Sequence, residues 1–333
     1  MATVTLKTIA EQCGLSCAAV SKALHHLPGV SEEKAEMVRA TARGLGYYPN
    51  AAARTLKTNQ SHNIGIIFEN GMSHEFFSQM LDEIRSCLEE QNYDITLMSN
   101  RFHREGGYYG HVMRRQCDGV IIMNHIFDPE GIAHLLESPL PVVSIDRIYP
   151  NCTSVVSENV ESVAEIVRYV HRMGPERIAF IHGERGDVTN LRIEGFRRGC
   201  EELGIAVPDA YIVQGKFQNT TSSRQATKDL LSLEAPPTCI LYPDDVSYLG
   251  GLTEITAEGL SVPGDVSCFG YDGINLASEY VPPLSTWKQD ATEIGKTAVR
   301  SLLEQIASKR VTDQEVITIP GRLQAGATVR KIN

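Results

Sequence analysis

Thr5-Leu6-Lys7-Thr8-Ile9-Ala10-Glu11-Gln12-Cys13-Gly14-Leu15-Ser16-Cys17-Ala18-Ala19-Val20-Ser21-Lys22-Ala23-Leu24 opens the chain with two short helices and a turn. Leu6, Ile9 and Ala10 recur at helical spacing behind Thr5, whose hydroxyl can cap them. Gly14 ends that helix, and Ser16 caps a second one that carries Val20 and Leu24 inward. Two helices around such a turn make either a DNA-reading helix-turn-helix or a plain helical hairpin, and the pattern alone leaves both open.

Working outward, His25-His26-Leu27-Pro28-Gly29 reads as a turn, and Ser31 caps a third helix running to Leu45, with Glu32 and Glu33 in its first turn. Val38, Ala42 and Leu45 are expected to face inward. Three helices of this size bury little, so the head is expected to be marginal alone. Tyr47-Tyr48-Pro49-Asn50 breaks the third helix. The Ala-rich run 51–57 then offers one or two helical turns with nothing to pack on. It is either a frayed linker or a segment that folds only on a partner.

Charge divides the chain at this point. The whole protein carries −10, yet residues 1–62 hold seven Lys/Arg against four Glu, a net of +3, and the remainder holds 24 against 37, a net of −13. A small basic head on an acidic body fits phosphate contact by the head alone. With 333 residues, 42% of them hydrophobic, there is enough chain for two or three domains. No run approaches the ~20 apolar residues of a membrane span, and no charged segment followed by an apolar core opens the chain, so a cytoplasmic location is expected. Eight cysteines (13, 17, 87, 117, 152, 200, 239 and 268) form no CxxC pair and no grouping with histidine. Neither a metal nor another cofactor is expected, and reduced, mostly packed thiols are.

From residue 63 onward strands and helices alternate. Strands are read at 64–68, 95–98, 119–123, 142–145, 177–182, 211–213, 239–241 and 267–269. Helices are read at 74–91, 105–116, 130–136, 159–173, 190–203, 220–230, 247–258 and 290–309. This βαβ texture implies α/β lobes of parallel sheet covered on both faces. Ligands of such sheets sit beyond the carboxyl ends of strands, where Glu69, Asp146, Arg147, Asp244, Asp245 and Asp272 fall. Carboxylates there suit a polyhydroxylated ligand, because ionised oxygens accept strong bonds from hydroxyls. The plainer reading of Asp245 is a helix cap, and of Asp272 a turn residue.

These residues together resemble the lactose-repressor (LacI/GalR) family of bacterial transcription regulators. The resemblance is carried by Thr8-Ile9-Ala10, Gly14-Leu15-Ser16, Val20-Ser21, the run Gly44 to Thr58, Ile64-Gly65-Ile66-Ile67, Arg177 to Ile181, Arg192, Gly195-Phe196, Asp244-Asp245, Gly250, Val262 to Ser267 and Gly270-Tyr271-Asp272. It implies a helix-turn-helix head over 1–49, a hinge helix and linker over 50–62, and a two-lobed, periplasmic-binding-protein-like body over 63–333. The first lobe takes about 63–156 and 286–316, the second about 157–285 and 317–333.

The resemblance further implies a homodimer that binds double-stranded operator DNA, with Thr5, Ser16, Cys17, Ala18, Ser21, Lys22, Asn50, Ala53, Arg54, Leu56 and Lys57 at the DNA. Lys22 would donate to guanine, Cys17 and Ala18 would offer apolar contact to a thymine methyl, and Leu56 would wedge into a base step and kink the duplex. In the body, Phe77, Arg147, Arg192, Phe217, Asp245 and Asp272 would bind a sugar-like effector that controls DNA affinity, with either sign open. Departures from the family pattern are His74-Glu75 in place of Asn-Pro, Pro175 in place of His, and Asp244 in place of Asn, so an ordinary neutral hexose is not the default ligand.

An enzyme is not expected. Gly295-Lys296-Thr297 mimics only the end of a phosphate loop, Gly71 to Glu75 lacks the second glycine of a nucleophile elbow, and HExxH and GxGxxG are absent. The remaining alternative is a solute-binding protein of sugar uptake, which would share the body and have no use for the head.

Overall fold

In the computed structural model, the described residues are 4–24, 27–47, 60–68, 74–99, 106–123, 129–308 and 314–331. The chain divides into two compact units, residues 1–61 and 62–333. The expected hinge over 51–57 and Glu69 lie outside the described residues.

The head holds α1 (Leu6–Cys13), α2 (Cys17–Leu24) and α3 (Glu32–Gly44). A reciprocal cap starts α1: Thr5 Oγ1 accepts the Thr8 N–H and Thr8 Oγ1 accepts the Thr5 N–H, each at 3.3 Å. Gly14 ends it at φ 63°, a left-handed conformation that glycine adopts without penalty. Ser16 Oγ then accepts the Ala19 N–H at 3.1 Å and starts α2. Ser31 occupies the N-cap position of α3, yet its side chain makes no capping bond. The three helices close on Ile9, Ala10, Val20, Ala23, Ala35, Val38 and Ala42, with Leu24 and Leu45 packed partly against them.

The body is built on two six-stranded sheets. The first comprises β1 (Asn63–Phe68), β2 (Asp94–Met98), β3 (Gly119–Met123), β4 (Val142–Ile145), β5 (Thr153–Ser157) and β11 (Glu315–Ile319), in the order β11-β5-β4-β3-β1-β2. Every pairing in it is parallel. In the second, β6 (Ile178–His182), β7 (Ile212–Gln214), β8 (Cys239–Leu241), β9 (Ser267–Asp272), β10 (Ser285–Lys288) and β12 (Arg322–Gln324) run β12-β10-β9-β8-β6-β7. Only the β10–β12 pair is antiparallel. Central strands such as Ile64-Gly65-Ile66-Ile67-Phe68 are buried throughout because helices cover both faces.

On the first sheet one face packs with α4 (Glu75–Glu90) and α11 (Ala291–Ser308), the other with α5 (Gly107–Arg114) and α6 (Pro129–Leu136). On the second, α7 (Asn159–Met173) and α8 (Asp187–Glu202) cover one face and α9 (Thr220–Leu231) and α10 (Asp245–Ala257) the other. Gly295-Lys296-Thr297 falls inside α11, a helical setting unlike a phosphate loop. No helix of the described residues is long and apolar enough to cross a membrane. All eight cysteines are free thiols, five of them buried.

The chain passes between the sheets after β5, after β10 and after β11. The last two crossings fall after 288 and 319, about three residues beyond the expected bounds of 285 and 316. The reason is that β10 pairs with β9 in the second sheet and β11 with β5 in the first. Strands β5, β10, β11 and β12 carry no sequence expectation, and α8 begins at Asp187, three residues before the expected Asn190.

Candidate functional site

Two sites follow from these elements, one in each unit. On the head, Cys17, Ala18 and Lys22 are exposed on α2 and Ser21 is partly buried. Thr5 and Ser16 are exposed residues whose hydroxyls cap α1 and α2. Lys22 lies across the following turn: a Cβ at Gly29, where φ is 104°, would stand 3.3 Å from Lys22 Nζ. Asn50, Ala53, Arg54, Leu56 and Lys57 lie outside the described residues.

In the body, strand order reverses at β1/β3 in the first sheet and at β6/β8 in the second, and the carboxyl ends of these strands bring the polar groups together. Arg192, on α8 and 6% exposed, is the central cation. Its Nε donates to Asn159 Oδ1 at 2.9 Å and its Nη1 to the Pro243 carbonyl at 3.0 Å. The guanidinium lies 3.5 Å from the ring centre of Tyr271 and 5.9 Å from that of Phe217. Phe217 packs against the backbone of Gly183, where any Cβ would collide with its ring.

Asp272 ends β9 with φ 104°, a costly conformation for a side-chain-bearing residue and one that clusters at functional sites. Its Oδ1 accepts Gln289 Nε2 at 2.6 Å. Gln289 stands at the second crossing and also meets Ser157 Oγ from the first lobe. Asp272 Oδ2 lies 3.2 Å from His74 Nε2, again across the lobes. Burial pushes the carboxyl of Asp146, just after β4, up to about 6; Arg192 draws it down and Asp272 pushes it up.

Asp245, expected at the effector, has both carboxylate oxygens engaged within the second lobe. It is fully buried, with Oδ1 accepting Thr286 Oγ1 at 2.6 Å and Oδ2 the Ile274 N–H at 2.9 Å. A Cβ at Gly270 would collide with its Oδ1, so that glycine makes room for it. The neighbouring Asp244 performs the capping role read for Asp245: its Oδ1 accepts the Ser247 N–H at 2.7 Å, and its Oδ2 accepts Ser247 Oγ and the Gln218 N–H. Burial, then the charge of Asp272, raises the carboxyl of Asp244 above its ordinary value. The inversion is a matter of backbone direction, since Asp244 is extended and Asp245 already helical.

Phe77 sits in the first lobe's core, its ring centre 5.3 Å from that of His74 and 5.2 Å from that of Phe76. Arg147, partly buried, stacks at 5.3 Å on Tyr149. Arg192, Phe217 and Asp272 therefore form one cluster with Tyr271, Asn159, Asp146 and His74. Tyr271 was readable only as part of Gly270-Tyr271-Asp272, and Asn159 and Gln289 carried no sequence signal.

Residues 5–50 match the family model described as bacterial regulatory proteins, lacI family, and residues 167–329 match a periplasmic binding protein-like domain. The probable HTH-type transcriptional repressor ExuR of Bacillus subtilis (strain 168) is 30% identical over 94% of this chain and 95% of its own. The HTH-type transcriptional repressor PurR of Escherichia coli O139:H28 is 29% identical over 95% and 94%. Among solved structures, the Lac repressor dimer bound to operator and the anti-inducer ONPF matches with a TM-score of 0.86 at 26% identity, covering 99% of this chain and 100% of that one.

Proposed function

The chain belongs to the lacI family of bacterial regulatory proteins, and from that membership we propose that it is a homodimeric repressor whose hold on operator DNA is set by a sugar-like molecule bound between the lobes. The observation that carries the effector half is the cluster around Arg192: a cation on the face of Tyr271, beside Phe217, with Asp272 reaching toward the opposite lobe. Aromatic faces take the apolar face of a sugar ring, carboxylate oxygens accept its hydroxyls, and Arg192 Nη2 donates to an oxygen. Arg192, Phe217 and Asp272 are the binding residues, Phe77 backs them from the first lobe's core, and Arg147 stands at the margin.

DNA binding and transcription regulation follow from the family. On the head, Lys22 reads a base edge while Cys17 and Ala18 contact thymine methyls, and residues 50–57 form the minor-groove hinge with Leu56 as its wedge. A homodimer places two heads on a two-fold site. Effector and operator communicate by a coupling of ~1–3 kcal/mol between cleft closure and the hinge. A solute-binding role without DNA leaves residues 5–50 unexplained.

Fluorescence anisotropy of the purified protein on duplexes from its own upstream region tests the operator half. The expected outcome is salt-sensitive, sequence-preferring binding, with Lys22→Ala losing ~1–3 kcal/mol on the preferred duplex and relaxing preference at one base position per half-site. Equal losses on preferred and random duplex would overturn base reading by Lys22. Calorimetry with a panel of sugars and sugar derivatives tests the effector half, and Arg192→Ala should abolish whatever binding is found.

A further inference from the structure

Two consecutive first-lobe residues reach across to the second lobe. His74, at the N-cap position of α4 and 3% exposed, brings Nε2 to 3.2 Å from Asp272 Oδ2, an ion-pair distance without the alignment of a hydrogen bond. Its Nδ1 is buried with no partner. Glu75 Oε1 accepts the Asn275 N–H at 2.7 Å, three residues beyond Asp272, and is held from its own helix by Gln79 Nε2 at 2.8 Å. The His74 ring is backed by Phe77 at 5.3 Å and Phe76 at 6.3 Å between ring centres, which leaves it little freedom except toward the second lobe.

We propose that His74 and Glu75 form a proton-gated clasp that draws the lobes together by direct contact, and that the effector engages Asp272 by sharing it with, or taking it from, His74. This rests on the proposed function only in naming the cleft as the effector site. Both contacts run from one lobe to the other and need no third molecule between them. A ligand hydroxyl that bonds Asp272 must therefore exceed an interaction already present, and any first-lobe group that frees Asp272 changes effector affinity without touching the effector.

The gate is electrostatic. Burial alone would lower the basicity of the His74 imidazole, but Asp272 at 3.2 Å, reinforced by the charges of Asp244 at the start of α10 and of Glu75 on α4, raises it above its ordinary 6.5. Arg192 and Asp146 face Asp272 from α8 and from the end of β4, and Tyr280 stands near Asp244, Asp245 and Glu75. Because the clasped histidine holds its proton more tightly than a free one, the His74–Asp272 half is fully made below 6.5 and is lost as pH rises through the raised value.

The amide of Asn275 reports the clasp directly. Hydrogen exchange of the full-length protein, corrected for base catalysis, should show Glu75→Ala exposing this amide by about tenfold, the value of one net hydrogen bond. Glu75→Gln, which keeps an acceptor oxygen, should stay near the parent. In the parent, protection should fall further as pH rises above 6.5, and His74→Asn should remove that fall. An Asn275 amide equally protected in Glu75→Ala, or a pH dependence retained in His74→Asn, overturns the clasp. Operator anisotropy on the same samples separates the two readings: absent duplex binding with the exchange pattern intact overturns the repressor reading and leaves the clasp standing.

Discussion

Head and body use polar residues in opposite ways. On the head the core is seven side chains, four of them alanine. On its surface Arg39 pairs with Glu32 and Glu36, and Arg43 with Glu36. The side chains proposed to meet a partner, Cys17, Ala18 and Lys22, are exposed on α2 and belong to no core. In the body the groups of the candidate site are themselves buried and bonded: Arg192 is held by Asn159 and Pro243, and Asp272 by Gln289. The contrast teaches where recognition and stability can be separated. They part cleanly on the head, and in the cleft they are the same interactions.

The largest effect should therefore come from the cleft. Arg192→Ala removes two charge-assisted hydrogen bonds and a stacked cation, and leaves Asn159 Oδ1 and the Pro243 carbonyl without donors. About 3–5 kcal/mol of body stability should go with them. Denaturant unfolding followed at Trp287, the only tryptophan of the chain and a member of the second lobe's core, gives the measurement. A variant as stable as the parent would show that Arg192 serves recognition alone, and the contrast between the two units would fail.

Next comes the core of the head. Ile9 is fully buried, and truncating it to alanine should cost ~2–5 kcal/mol. A three-helix unit of this size has little more than that to lose. Ile9→Ala should abolish operator binding and make residues 4–47 protease-sensitive while leaving the midpoint at Trp287 where it was. A shift of that midpoint would mean that head and body unfold as one unit, and would sharpen the comparison into a coupling.

How much of this was legible in the sequence follows the same division. Helix ends on the head are written locally: Thr5, Gly14 and Ser16 each act within three or four residues of themselves. Four strands of the body are not. Thr153-Ser154-Val155-Val156-Ser157 carries no sequence expectation, yet every residue is buried, with Ser144 donating to Ser154 inside the fold. The cleft is less legible still. The meeting of His74 with Asp272 spans 198 positions, and the capping of α10 by Asp244 turns on the extended backbone there. Residue type and spacing pointed to carboxylates at strand ends but not to which of them is engaged inside the fold, since that is decided by partners such as Thr286 and Ile274 that no local pattern names.

The smallest effect tests local legibility itself. Thr5 and Ser31 both precede a helix of the head and both read as caps. Thr5 exchanges two bonds with Thr8, whereas Ser31 precedes α3 with its side chain making none. The start of α3 is supported instead by Glu32 and Glu33, whose charges face the positive end of the helix, and by the Ala35 N–H donating to the Ser31 carbonyl at 2.9 Å, a bond that does not need the hydroxyl. Thr5→Ala should therefore cost ~1 kcal/mol of head stability and Ser31→Ala less than about 0.5 kcal/mol. Amide exchange of the Ile9 and Val38 N–H groups in the two variants supplies the comparison. Equal losses would mean that the Ser31 hydroxyl turns onto α3 in solution, and that sequence position alone had been the better guide to which residue caps.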